Sequence, residues 1–296
     1  MYKRQVLSLF LAYILSTVLV KPLARVTKAI EDLTDGYQQD EISVPDYTET
    51  ELITDAFNKM LARMKVLDES RSEFVSNVSH ELKTPMTSMK VLADSLVGQQ
   101  GVPEDLYQEF MRDITAEIDR ENRIITDLLT LVKMDKKNAD LQIQHMSINQ
   151  LLEDILKRLR PIADKRNIDL ILDSFRPVEA DVDELKFTSA ISNLVENAIK
   201  YNVDDGWVRV SLDADHKFFY VTVADSGMGI PEDSLSRIFE RFYRVDKSHS
   251  REIGGTGLGL AITRSTIGMH HGVIKVFSKE GEGTTFSVRV PLSYIP

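Results

Sequence analysis

Three groups of residues in this sequence have types and spacing that suit chemistry. The first is centred on His80. At about 100° per helical residue, His80 lies about 200° from Val78 and about 160° from Leu82, so it projects away from the apolar stripe and into solvent. A neutral imidazole there is a sound nucleophile near neutral pH. Glu81 adjoins it, and a carboxylate that accepts the Nδ1 proton leaves the Nε2 lone pair free, which gives Glu81 the role of general base. Thr84 follows one turn on, and Pro85 removes the amide that would bond the Glu81 carbonyl, loosening the helix beside the histidine. The second group is Asn193, Asn197 and Lys200, set among the apolar Ile191, Leu194, Val195 and Ile199. The two asparagines are four apart and share a face, where Asn197 can offer an amide oxygen to Mg²⁺ and Lys200 a charge to phosphate. The third is glycine-rich. Asp225 precedes Ser226-Gly227-Met228-Gly229, where a carboxylate can accept from an adenine amino group, and Gly254-Gly255-Thr256-Gly257-Leu258-Gly259-Leu260 offers amides and a helix start to phosphates. This is not the Walker form, and no βαβ dinucleotide unit precedes it.

The elements that must position these groups follow from periodicity. Val75, Val78, Leu82, Met86, Met89, Ala93 and Leu96 mark a helix from about Leu67 to Val97, and Gly98 to Pro103 read as a turn. Leu106, Phe110, Ile114, Ile118, Ile125, Leu128 and Val132 mark a second helix from about Glu104 to Lys137. Two such helices form an antiparallel hairpin, and a stripe on each calls for pairing into a four-helix dimer bundle. Upstream, Leu23, Val26, Ile30 and Leu33, then Ile53, Phe57, Met60, Met64 and Leu67, are coiled-coil seams separated by a stop at Asp35-Gly36 and an extended Ile42 to Pro45. From Ser147 the pattern becomes α/β, with a helix over Ile148–Leu159, a strand over Ile168–Leu172, a hairpin of Trp207–Leu212 and Phe218–Val223, and a helix over Ala261–Met269.

Composition bounds the remaining possibilities. The chain has 296 residues, no cysteine and a formal net charge of −10, which excludes disulfide scaffolds and Cys-ligated metals. Residues 1–30 hold Lys3, Arg4, Lys21, Arg25 and Lys28 with no acid, leaving −15 on the rest. An acidic body argues against nucleic acid, and a basic, apolar start argues for a membrane. Val6 to Val20 is uncharged, about 22 Å as a helix against a hydrocarbon core of roughly 30 Å, so it reads as a membrane span truncated at its outer end.

Pro22, Gly36 and Glu51, in that order after the apolar run, resemble a HAMP domain, the linker between membrane receptors and their output domains. Ser79-His80-Glu81-Leu82-Lys83-Thr84-Pro85 resembles, nearly letter for letter, the phosphoacceptor box of sensor histidine kinases. Asn193-Leu-Val-Glu-Asn197-Ala-Ile-Lys200-Tyr201, Asp225-x-Gly227-x-Gly229, Phe239-Glu-Arg-Phe242-Tyr243 and Gly255-x-Gly257-x-Gly259 resemble the four nucleotide boxes of that family's catalytic domain.

The resemblance implies a multidomain protein: a helical dimer bundle followed by an α/β sandwich of the GHKL ATPase type. Its parts would be a membrane segment over 1–20, a HAMP linker over 21–70, a dimerisation and phosphotransfer hairpin over 71–138 and an ATP-binding domain over 147–296. It implies autophosphorylation of His80 from Mg·ATP and transfer to an aspartate of a response regulator with a receiver domain. It further implies a homodimer at the membrane with its catalytic part in the cytoplasm, Met1 outward and no sensing module. Thr84 would position water for dephosphorylating the regulator, and Tyr201 would neighbour adenine. Asn193, Lys200, Asp225, Gly227, Gly229, Gly255, Thr256, Gly257, Leu258 and Gly259 would hold nucleotide, with Asn197 on the metal. Glu232 to Ile253 would be a lid anchored by Phe239 and Phe242, with Arg241, Arg244 and Lys247 as γ-phosphate contacts. Two rivals remain. Related ATPases hydrolyse ATP with a glutamate where this chain has Asn193, and Glu196 lies about 60° off that face; a degenerate kinase would act as a scaffold.

Overall fold

The computed structural model describes residues 2–17, 21, 24, 27–28, 48–98, 103–134, 141–245 and 255–295. Two compact units divide the chain, Met1–Ser79 and His80–Pro296. In the first, helix α1 (Tyr2–Leu15) buries none of its residues. Among the described residues no helix is long and apolar enough to cross a membrane. Val18 to Val20 of the apolar run, and Pro22, Asp35-Gly36 and Ile42 to Pro45 of the linker reading, lie outside the described residues.

Helix α2 (Thr48–Val97) is one unbroken helix in which Pro85 is accommodated, so the expected start near Leu67 lies in its interior. Its covered face is Phe74, Val78, Leu82, Pro85, Met89, Leu92 and Leu96, at 4-4-3-4-3-4 spacing. Val75 and Met86, placed on the seam by sequence, are 57% and 59% exposed, and Ala93 is exposed too. Helix α3 (Glu104–Met134) behaves alike. Acidic Glu104 and Asp105 in its first turn and Lys133 in its last suit the helix dipole. Ile124, Leu128 and Leu131 are its buried residues, whereas Ile118, Ile125 and Val132 of the expected seam are exposed. Each helix therefore carries two apolar stripes, and a pattern of three- and four-residue steps reads across both of them.

The α/β domain begins with β1 (Ile143–Ser147) and helix α4 (Ile148–Asp164), whose first turn is capped by the Ser147 hydroxyl accepting from the Gln150 amide. There follow β2 (Asp169–Ser174), β3 (Glu179–Asp183), α5 (Glu184–Lys200), β4 (Trp207–Ala214), β5 (Phe218–Asp225), the short α6 (Glu232–Leu235), α7 (Gly259–Met269), β6 (Val273–Lys279) and β7 (Gly283–Pro291). The main sheet has the order β2-β4-β5-β7-β6, parallel only at β2–β4, and β1–β3 form a separate antiparallel pair. Alternation along β4 and β5 sends Val208, Val210, Val221 and Val223 inward, where they meet Phe187, Ile191, Leu194 and Val195 of α5 in a core of near-zero exposure.

A buried polar staple joins β3 to α7. His270 is 1% exposed, its Nδ1 is 2.8 Å from the Thr266 carbonyl, and its Nε2 accepts the Asp183 amide at 2.9 Å. Because Nε2 accepts, the proton sits on Nδ1 and the ring is neutral. Burial, above all, holds its pKa below the ordinary 6.5. A depressed histidine pKa means the unfolded state binds the extra proton first, so this stability is complete above about pH 6.5 and is lost as pH falls through the lower folded value. Thermal melting should therefore come at a lower temperature at about pH 5 than at about pH 7.5, and His270→Gln, which cannot be protonated, should flatten that part of the dependence.

Candidate functional site

His80 stands on α2 with its side chain exposed, while Pro85, one turn and a half on, is buried. Its carbonyl accepts the Thr84 hydroxyl at 3.1 Å, which keeps Thr84 on the histidine's side of the helix. Neither ring nitrogen of His80 has a hydrogen bond among the described residues, and Glu81, half-buried, points elsewhere than the imidazole because adjacent helical residues diverge by about 100°. The structure thus brings Thr84 to His80 through backbone, and leaves the Glu81–Nδ1 contact to be made by rotation of the side chains.

Helix α5 positions the polar residues of the nucleotide half. Asp183 caps it, accepting from the Lys186 amide at 3.0 Å and from the Lys186 ammonium at 2.5 Å. Arg166 closes its other end, donating to the carbonyls of Ile199, Lys200 and Asn202 at 2.8–2.9 Å. Asn193 Nδ2 reaches the Gly259 carbonyl at 3.4 Å, joining α5 to the start of α7. The Asn197 side chain holds no hydrogen bond among the described residues, so its amide oxygen remains available to a cation. Lys200 lies with its Nζ 5.2 Å from the Tyr201 ring centroid. Burial, then the charges of Arg244 and Arg120, lower the Lys200 pKa to about 8.

Asp225 ends β5 and is buried. Its Oδ1 accepts from the Gly227 amide at 2.9 Å and the Thr284 amide at 3.2 Å, while Oδ2 holds no hydrogen bond among the described residues. Burial pushes its pKa up against those two amides. A partly desolvated carboxylate oxygen with an unused lone pair fits an amino group such as adenine's. The glycine at 227 has a structural cause as well: a Cβ there would lie 2.4 Å from the Tyr201 carbonyl and 2.9 Å from Asp225 Oδ1. Gly229, by the same measure, has the Lys279 carbonyl against it.

The second glycine loop abuts the same helix. A Cβ on Gly255 would meet Lys200 Nζ at 2.7 Å. Gly257 has φ +67 and accepts the Phe242 amide at 2.9 Å. Leu258 is fully buried, and Gly259 opens α7. Phe239 packs edge-on to Phe286 at 6.4 Å, so the segment after α6 is tethered to the core at Phe239 and to the glycine loop at Phe242. Lys247 and residues 246–254 of the expected lid lie outside the described residues. Sequence reasoning missed Arg166, Asn202 and Asp127. Asn202 is buried, accepts the Val203 amide and the Ser226 hydroxyl, and donates to the Trp207 carbonyl. None of the three belongs to a periodic or glycine-rich pattern.

Comparison with known proteins matches residues 70–137 to the His Kinase A (phospho-acceptor) domain and residues 182–294 to the histidine kinase-, DNA gyrase B-, and HSP90-like ATPase family. The chain is 35% identical over 228 residues to sensor histidine kinase WalK of Bacillus subtilis, which takes in 76% of this chain and 37% of that protein. It is also 35% identical over 225 residues to the sensor-like histidine kinase SenX3 of Mycolicibacterium smegmatis, 76% of this chain and 58% of that protein. The chain thus spans between about a third and three fifths of these relatives. In fold it is similar to histidine kinase ThkA, solved in complex with response regulator protein TrrA, at TM-score 0.63 and 23% identity over 84% of this chain and 69% of that one. The Acinetobacter baumannii histidine kinase AdeS aligns at TM-score 0.58 and 21% identity over 72% of this chain and 98% of that one. With an exposed histidine in the phospho-acceptor domain and the glycine loops, Asp225 and Asn197 in the ATPase domain, the chain belongs to the histidine kinases.

Proposed function

We propose that the chain is a sensor kinase that phosphorylates His80 from Mg·ATP and passes the phosphoryl group to an aspartate of a response regulator. The observation that carries this reading is the pairing of an exposed His80, whose ring holds no hydrogen bond among the described residues, with a nucleotide half in which Asn193 is engaged with the Gly259 carbonyl. An asparagine there cannot take a proton from water, which favours transfer over hydrolysis. His80 Nε2 attacks the γ-phosphorus, the bond to the β–γ bridging oxygen breaks as N–P forms, and Glu81 accepts the Nδ1 proton. Asn197 would hold Mg²⁺ through its amide oxygen, and the ion would supply positive charge against that developing on the leaving diphosphate. Asp225 and Tyr201 hold adenine; Asn193, Lys200 and the loop from Gly255 to Gly259 hold phosphates. Thr84, on His80's side of the helix, orients water when the regulator is dephosphorylated.

The domain scheme goes with it: membrane segment 1–20, HAMP linker 21–70, hairpin 71–138 and ATP domain 147–296. The uncovered stripe of Met111, Ile118, Ile125 and Val132, seven apart and 42–50% exposed, supports a homodimer through the hairpin. The bare apolar surface of α1, with Leu7, Leu9, Phe10 and Leu11 more than half exposed, supports lipid around it, with the catalytic part on the cytoplasmic side. The test is incubation with Mg²⁺ and γ-labelled ATP, then with receiver-domain proteins. The expected result is acid-labile label on the chain that moves to one receiver within minutes; stoichiometric release of inorganic phosphate with no labelled chain would favour hydrolysis instead.

A further inference from the structure

We propose that Asp127 on α3 is a carboxylate latch that occupies the Thr256 hydroxyl and competes with the phosphates of nucleotide for it. The contact lies within the unit His80–Pro296: Thr256 Oγ1 donates to Asp127 Oδ2 at 2.9 Å across 129 residues of sequence. The same Oγ1 accepts the Leu258 amide at 3.2 Å, which fixes the hydroxyl between Gly255 and Gly257. Thr256 is the one residue from Gly255 to Gly259 with a side-chain donor, and a hydroxyl has a single proton. While Asp127 holds that proton, no phosphate oxygen can. The inference rests on the nucleotide reading above and adds a hairpin residue to it.

The surroundings make the carboxylate more than an incidental partner. α3 packs on α7, with Ile124, Leu128 and Leu131 buried beside Asp127 and Leu258 fully buried at the start of α7. Burial pushes the Asp127 carboxyl up, opposed by the Thr256 hydrogen bond and by the Arg123 charge. Lys200 feels the charges of Arg120 and Arg123, also on α3, and of Arg244 and Glu196; Arg123 also acts on Asp127, and Arg120 pairs with Glu117 at 3.7 Å. Bound triphosphate supplies more negative charge to the same cations and accepts the hydrogen bond of the Thr256 hydroxyl, which frees Asp127. By linkage the coupling is reciprocal: whatever loosens α3 from α7 raises nucleotide affinity.

The experiment measures affinities of the full chain for Mg·ATP and for adenosine by calorimetry, for wild type, Asp127→Ala, Asp127→Asn, and each with Thr256→Val. Releasing a charge-assisted hydrogen bond should tighten Mg·ATP binding about tenfold in Asp127→Ala and less in Asp127→Asn, which keeps an acceptor oxygen. Adenosine affinity should stay level, and with Thr256→Val present Asp127→Ala should change nothing. A gain in affinity cannot come from misfolding. Unchanged or weaker Mg·ATP binding in Asp127→Ala, or an equal gain for adenosine, would overturn the latch while leaving the kinase reading intact. A wild-type chain that binds neither ligand would overturn both.

Discussion

His80→Gln protein given Mg²⁺ and γ-labelled ATP will take up no label, while its melting temperature and its affinity for ATP stay at wild-type values. Glutamine keeps much of the imidazole's bulk and polarity but has no basic lone pair to form the N–P bond. The structural cost is small because His80 is exposed and its ring holds no hydrogen bond among the described residues, so stability should move by no more than about 0.5 kcal/mol. The nucleotide half should lose nothing, since among the described residues none of its hydrogen bonds reaches residue 80. Measured together, label, melting and binding separate a missing nucleophile from a damaged protein. Label retained at a sizeable fraction of wild type would move the acceptor to another residue.

Asp225→Ala should weaken ATP binding about a hundredfold. The expected loss combines a hydrogen bond from adenine to a charged, partly desolvated acceptor, about 1.5–3 kcal/mol, with the release of two backbone amides that Oδ1 now satisfies. Gly227 in the loop after β5 and Thr284 on β7 hold the same carboxylate oxygen, so their release also loosens that part of the pocket wall. Asp225→Asn isolates the first effect, because Asn can still accept those amides yet loses the charge that attracts an amino group. A dissociation constant within about threefold of wild type in Asp225→Ala, measured by calorimetry, would take adenine out of this pocket.

Local chemistry was legible in the sequence and distant pairing was not. The glycine loops, Asp225 and the helix of Asn193 and Asn197 announce themselves because glycine and polar residues interrupt apolar runs at short spacing, and their places in α5, β5 and at the start of α7 follow from residues within one or two turns. The hairpin of β4 and β5 was equally plain, with alternating apolar residues on both sides of Asp213–His216. The strands β1 and β3 escaped notice because five residues give too few alternations to count. The helical seams of α2 and α3 were assigned to a mixture of covered and uncovered positions, since each helix has two apolar stripes and only the fold decides which one meets its own chain. His270 stands at the C-cap of α7, but its bond to the Asp183 amide joins residues 87 apart. No periodicity carries such information. Asp127 escaped for the same reason: on α3 it is one acid among many, and only the approach of Thr256 distinguishes it.

The place of β7 in the sheet bears on how the protein is made. This strand, the last among the described residues, lies between β5 and β6 and pairs with both along nearly its whole length. During synthesis the centre of the sheet stays open until residues past Pro291 leave the ribosome, so the ATP domain closes in a single late step and not strand by strand. A chain that terminates before β7 lacks Thr284 beside Asp225 and the inner partner of β5. Products truncated before β7 should therefore fail to bind ATP in a calorimetric titration.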